Sequence, residues 1–252
     1  MNENNPRKEI IKKFRIIIYS TPVRIPFYKK AMATPTIENY AKNIWKLSEA
    51  TSDGLVPLGV LAQCLGVTAG TITTMLKTLD EAGLVIYLPR QGVRLTEAGR
   101  SLALHVLRRH RILELYLVNC LHMDWAEVHD EAEVLEHAVS DKVIAHMEAQ
   151  LSDTTLDPHG SPIPSSEGLL EDARVLKPLE NARAGDDLII AKVRDQTPDF
   201  LDFLAQHRLK PGTAVRVVSV DQRSGILVLE LEPNQHVTLS LAAAGGVEVV
   251  NG

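Results

Sequence analysis

The chain has 252 residues, is 45% hydrophobic and only 4% aromatic, and carries a formal charge of −5. That length gives room for two or three small domains with mainly aliphatic cores. A net negative charge excludes a chain that is basic throughout, and no apolar run reaches the length of a membrane span, so no membrane partner is expected. The basic residues are concentrated at the start, where residues 1–30 hold eight Lys/Arg against two Glu. Residues 1–33 therefore read as a basic N-terminal extension. Cys64 and Cys120 lie far apart in apolar surroundings and read as small buried residues rather than a disulfide, which fits a reducing, cytoplasmic setting.

Residues 36–50 read as an amphipathic helix with Ile37, Tyr40, Ile44 and Leu47 on one side. After a turn at Thr51–Gly54, Pro57 opens a short helix through Leu65, which Gly66 breaks. Thr68 is an N-cap for a second helix, Ala69 to Ala82, and Gly83 suits its C-terminal stop. Two short strands, Leu84–Leu88 and Val93–Leu95, flank a turn at Pro89–Gly92. Thr96 caps a longer helix that starts at Glu97 and runs to about Leu121. A helix, a tight Gly-containing turn, a helix and a hairpin is the order of a winged helix-turn-helix. Its second helix would present Thr68, Gly70, Thr71, Thr73, Thr74 and Lys77 to duplex DNA. Threonine hydroxyls can reach phosphates or base edges, and threonine methyls can meet thymine methyls. No Arg, Asn or Gln offers a bidentate base contact there, so reading should lean on DNA shape. Lys77, Arg90 and Arg94 are the expected phosphate contacts.

A helix is expected over 126–150, and within it His129, Glu133, Glu136 and His137 fall at i, i+4, i+7 and i+8. On a helix these four share an arc of roughly 100°. Two imidazoles and two carboxylates on one stripe make a donor set for a first-row divalent metal, where a plain charged helix face is the blander explanation. His110 and Glu114 form a second i, i+4 pair. Ser152–Ser166 is polar and Pro-rich and reads as a linker. His122, His146, His159 and His207 read as surface or packing residues. Five β-branched stretches follow: 188–193, 214–220, 226–231, 236–240 and 247–250. They predict a small barrel, with one helix inserted over 197–206.

Four stretches resemble one family. Thr34–Tyr40, Arg109–Glu114, His129–His137 and the segment Asp157-Pro-His-Gly-Ser-Pro-Ile-Pro164 are similar to the iron- and manganese-dependent transcriptional repressors of the diphtheria toxin repressor family. The resemblance covers roughly residues 34–252. It implies a mainly α fold with a small β part: a winged helix-turn-helix over 34–104, a helical metal-binding and dimerisation domain over 105–151, a linker over 152–183, and an SH3-like (FeoA-like) barrel over 184–252. It further implies a homodimer that binds double-stranded operator DNA when loaded with Mn²⁺ or Fe²⁺ at two sites per subunit, repressing metal homeostasis genes. One site would comprise Glu133, Glu136 and His137 with Asn39 from the first helix. The other would comprise His110, Glu114 and His129, completed by Gln196 and Asp199. Iron-type members carry Cys where this chain has Glu133, and a carboxylate suits the harder Mn²⁺. The first helix departs from the manganese type, having Asn39 and Lys42 where that type has acidic residues. Two competing readings are a winged-helix regulator indifferent to metal and a di-metal carboxylate enzyme. The enzyme reading lacks its usual Glu-x-x-His pairs.

Overall fold

The computed structural model describes residues 34–231 and 235–252, so the expected basic extension lies outside the described residues. The chain divides into two compact units. The first takes in residues up to Arg109 together with Pro164–Glu171, and the second takes in His110–Ile163 and Asp172–Gly252.

The first unit begins with α1 (Pro35–Ser48), whose N-cap Thr34 accepts a hydrogen bond from the Ile37 amide. Ile37, Tyr40, Ile44 and Leu47 of α1 pack into one aliphatic core. Next come α2 (Leu58–Leu65) and α3 (Ala69–Glu81), which cross at 105°. Gly66, at φ +63°, ends α2 in the left-handed region that glycine adopts without strain. Thr68 caps α3 by accepting from the Thr71 amide. Ile72, Leu76 and Leu79 are fully buried from α3, each contributing roughly 1.5–3 kcal/mol. The hairpin of β1 (Val85–Leu88) and β2 (Gly92–Leu95) pairs Val85 with Leu95 and Leu88 with Gly92. Val56 bridges to Val93 and ties the turn before α2 to the hairpin.

The helix α4 (Glu97–Asn119) starts in the first unit and ends in the second. In the second unit it is followed by α5 (Val128–Ala138) and α6 (Asp141–Glu148). The single helix expected over 126–150 is thus two. Val139 is extended, and the Ser140 hydroxyl accepts from the Val143 amide to start α6 afresh.

The sheet of the second unit runs in the order β3 (Lys177–Pro178), β8 (Val247–Asn251), β4 (Asp187–Val193), β5 (Ala214–Asp221), β6 (Ile226–Leu231), β7 (Gln235–Ser240), with all neighbours antiparallel. The two-residue strand β3 and the short helix α8 (Leu241–Ala244) were not foreseen; α7 (Pro198–Gln206) was. The core under this sheet includes Trp125 and Ala126 from the turn before α5.

Two expectations need correction. The segment read as a polar linker is packed over part of its length, with Asp157, His159 and Ser161 all buried. Asp157 Oδ1 accepts from the amides of His159 and Ser161, and Arg111 donates to Pro162 O and pairs with Asp157 Oδ2 at 3.3 Å. These non-local bonds satisfy polar groups that composition alone assigns to solvent. The cysteines are not buried either: Cys64 is exposed and Cys120 half-buried, both as free thiols. Leu61 is the buried residue of α2, and Cys64 sits outside it, donating to Asn43 Oδ1 at 3.3 Å.

Candidate metal centre and nucleic-acid face

The second half of α4 supplies His110 and Glu114 one turn apart, and α5 supplies His129, Glu133, Glu136 and His137. Helical spacing stacks each set along one face, and tertiary packing brings the two faces together. His110 is the hub. Its Nε2 lies 2.9 Å from Glu114 Oε1 and 3.2 Å from His129 Nδ1. Its Nδ1 lies 2.7 Å from Glu136 Oε2 and 3.8 Å from Glu133 Oε1. Glu114 Oε1 also meets His129 Nδ1 at 3.0 Å, and His129 Nε2 is 3.7 Å from Glu133 Oε1. Glu136 turns its second oxygen to His137 Nε2 at 3.3 Å.

Two donor groups result: His110 with Glu114 and His129, and His110 with Glu133 and Glu136. Within each, the donor atoms lie within 4.8 Å of one another. One imidazole therefore belongs to both, with a different ring nitrogen in each. Nitrogen and carboxylate oxygen in this mixture suit Mn²⁺ or Fe²⁺. Glu114 and Glu136 are almost wholly buried, and buried carboxylates require compensating charge. Burial alone would raise the Glu114 carboxyl. The charge of His110 and the hydrogen bonds from His110 and His129 outweigh it and hold Glu114 well below the usual carboxylate range. Asp157 goes the other way: burial and the nearby Glu114 charge push it up, against the pull of Arg111.

His159, set aside in the sequence as a packing residue, is fully buried beside this centre. Its Nε2 donates to Trp125 O at 3.1 Å and its ring stacks on the indole at 5.2 Å. Its Nδ1 has no hydrogen-bond partner among the described residues and sits 3.9 Å from Glu114 Oε1. The Pro-His-Gly spacing was the available signal for it.

The other expected ligands lie on other elements. Asn39 lies on α1 in the first unit, where its carbonyl accepts from Asn43 Nδ2 at 2.9 Å. Gln196 is half-buried ahead of α7, and Asp199 is exposed in that helix's first turn. Asp199 enters neither donor group.

On the helix-turn-helix, Thr68, Gly70, Thr71, Thr74 and Lys77 are exposed and Thr73 is half-exposed along α3. Arg90 is exposed at the hairpin turn with φ +66°, and Arg94 on β2 is half-buried, its Nε lacking a partner among the described residues. Lys77, Arg90 and Arg94 all fall on α3 or the hairpin, the elements a winged helix sets against a duplex.

Residues 32–93 match the iron dependent repressor N-terminal DNA binding domain, residues 96–165 the iron dependent repressor metal binding and dimerisation domain, and residues 177–251 the FeoA domain. A solved structure titled a manganese-dependent transcriptional repressor in complex with manganese aligns with TM-score 0.78 at 37% identity, covering 86% of this chain and 100% of the other. The chain belongs to the iron-dependent repressor family.

Among relatives of this repressor family, the diphtheria toxin repressor of Corynebacterium efficiens is 36% identical over 130 residues, 51% of this chain and 55% of the relative. That match spans only about half the relative's length. The iron-dependent repressor IdeR of Mycobacterium tuberculosis is 29% identical over 228 residues, 85% of this chain and 88% of the relative. The chain thus carries the family's DNA-binding, metal-binding and dimerisation, and FeoA domains. Among the described residues no single helix is long and apolar enough to cross a membrane.

Proposed function

We propose that this chain is a cytoplasmic, metal-activated repressor that binds operator DNA as a homodimer and controls metal homeostasis genes. The observation that supports it most is His110, whose two ring nitrogens face two separate sets of acidic and imidazole donors. On this reading His110, Glu114 and His129 hold one cation, and Glu133, Glu136 and His137 hold another, giving two sites per subunit. The resemblance adds Asn39, Gln196 and Asp199 as further donors to be tested by substitution. Glu133 brings oxygen where a thiolate would favour softer ions, so Mn²⁺ is preferred over Fe²⁺.

When bound, a divalent cation supplies positive charge and directional bonds. The chain's own residues do the rest. Glu114 and Glu136 give buried negative charge, His110 holds them in register, and His129 and His137 close the two ends from α5. Tying α4 to α5 narrows the conformations open to the helical part and selects the arrangement whose paired α3 helices fit a two-fold operator.

The test is duplex binding by the full chain with Mn²⁺, Fe²⁺, Zn²⁺ or chelator, using DNA upstream of its own coding sequence and duplexes selected from a random library. Binding should require Mn²⁺ or Fe²⁺. His137→Ala and Glu133→Ala should lose metal-dependent binding while keeping the parent's circular dichroism. Binding that ignores both chelator and these substitutions would sink the proposal.

A further inference from the structure

The winged helix is short of exposed positive charge. Residues 34–109 hold eight Lys/Arg, but Lys42, Lys46, Arg100, Arg108 and Arg109 each engage other groups of the protein, and Lys42 and Arg109 are buried. Of the remaining three, Arg94 is half-buried and only Lys77 and Arg90 are exposed. Against these two stand five exposed acids, Glu49, Asp53, Asp80, Glu81 and Glu97, so the exposed charges over this stretch sum to −3. Asp80 and Glu81 follow Lys77 on α3 by three and four positions, the spacing at which helix side chains meet. A duplex carries one negative charge per about 1.7 Å of its axis, so this surface alone gains little from the phosphates.

The missing charge stands directly ahead of α1. Residues 1–30 hold eight Lys/Arg and two Glu out of 27 Lys/Arg and 32 Asp/Glu in the chain, which leaves 19 against 30, or −11, for everything after them. Arg7, Lys8, Lys12, Lys13 and Arg15 form one group, and Arg24, Lys29 and Lys30 a second that ends four positions before Thr34. Thr34, Pro35 and Thr36 are exposed where α1 begins, so this basic stretch joins the winged helix at its surface. The matched DNA binding domain starts at residue 32, so the charge is an addition to that domain.

We propose that residues 1–30 make a second, sequence-blind contact to duplex DNA, in which their lysines and arginines neutralise backbone phosphates beside the operator and offset the acidic exposed surface of the winged helix. The inference rests on the DNA binding proposed above and adds a contact that is separate from the reading helix. Cations set against phosphates release the counterions condensed there, so this contact shows itself in salt dependence and carries no base preference.

The experiment compares the full chain loaded with Mn²⁺ with two full-length variants. One combines Arg7→Gln, Lys8→Gln, Lys12→Gln, Lys13→Gln and Arg15→Gln, and the other combines Arg24→Gln, Lys29→Gln and Lys30→Gln. Affinity for a duplex selected from a random library, and for a scrambled duplex of the same length, is measured across a series of KCl concentrations. At about 0.9 per neutralised phosphate, the slope of log affinity against log salt should flatten by up to about 4.5 in the first variant and up to about 2.7 in the second. At low salt the first variant should lose at least about tenfold in affinity for both duplexes alike, so that the ratio between them holds within about twofold. Circular dichroism checks that both variants keep the parent's fold. Slopes equal to the parent's in both variants, or a loss confined to the selected duplex, overturn this inference alone. Vesicles of phosphatidylcholine and phosphatidylserine form a further arm: if the parent binds them, the variants do not, and the DNA slopes are unchanged, the basic stretch serves an anionic lipid surface and the inference fails. Failure of the parent to bind any duplex with metal present overturns the repressor reading and this inference with it. Flattened slopes with binding that ignores chelator overturn the metal dependence and uphold the phosphate contact.

Discussion

At the scale of single residues, Gly160 and Glu114 are held most narrowly. Gly160 sits at φ +83°, and a Cβ there would lie 2.1 Å from Ala191 O. That carbonyl belongs to an irregularity in the pairing of β4 with β8, and Arg174 Nη1 donates to it at 3.0 Å. Gly160→Ala should cost about 2–4 kcal/mol through left-handed strain and backbone clash, read as a fall in the urea midpoint. Glu114 is poised differently. Its folded pKa is depressed, so its ionised form stabilises the fold above the unfolded value near 4, and that contribution is lost as pH falls through the folded value. In chelator, Glu114→Gln should melt below the parent above about pH 4. The gap should close as pH falls on through the folded value. The same variant should bind Mn²⁺ at least tenfold more weakly by calorimetry at pH 7.

At the scale of elements, Thr96 ties the end of α3 to the start of α4. Its hydroxyl donates to Gly83 O at 2.7 Å, just past α3, and accepts from the Gly99 amide at 3.1 Å, starting α4. Thr96→Ala should lower stability by about 1–2 kcal/mol in thermal melts and weaken duplex binding by loosening α3. The elements whose signals are local were legible in the sequence. Thr68 and Gly66 mark the turn between α2 and α3, and β-branched runs mark β4 to β8. The two-residue strand β3 carried no pattern to read. The break between α5 and α6 had a signal, Ser140 followed by Asp141, but the charge stripe before it masked the stop. The donors on α4 and α5 could be picked out because helical spacing alone puts them on one face. That His110 serves both groups could not, because it depends on how two helices pack. The packing of Asp157 to Pro164 was hidden for the same reason: its partners, Trp125, Arg111 and Val193, lie 34, 46–51 and 34 positions away.

At the scale of the whole molecule, metal and stability are linked. A ligand that binds only the folded chain stabilises it by about 2.7 kcal/mol at one hundred times its Kd. Mn²⁺ should therefore raise the melting temperature by several degrees, and His137→Ala should shrink that shift. The shift should fade as pH falls, because protons compete with the cation for the donor set.

Trp125 and Ala126, a few residues ahead of the donor helix α5, lie in the core of the six-stranded sheet, and the Val193 amide donates to His159 O at 2.8 Å. The FeoA region is thus no detachable appendage hung on a sensor. A version of this protein stopped at Glu171 would strip the indole of its cover and leave an apolar scar next to the very helix that carries His129. Any shortened descendant that still senses metal must first have rewritten Trp125 and the Pro-His-Gly strap.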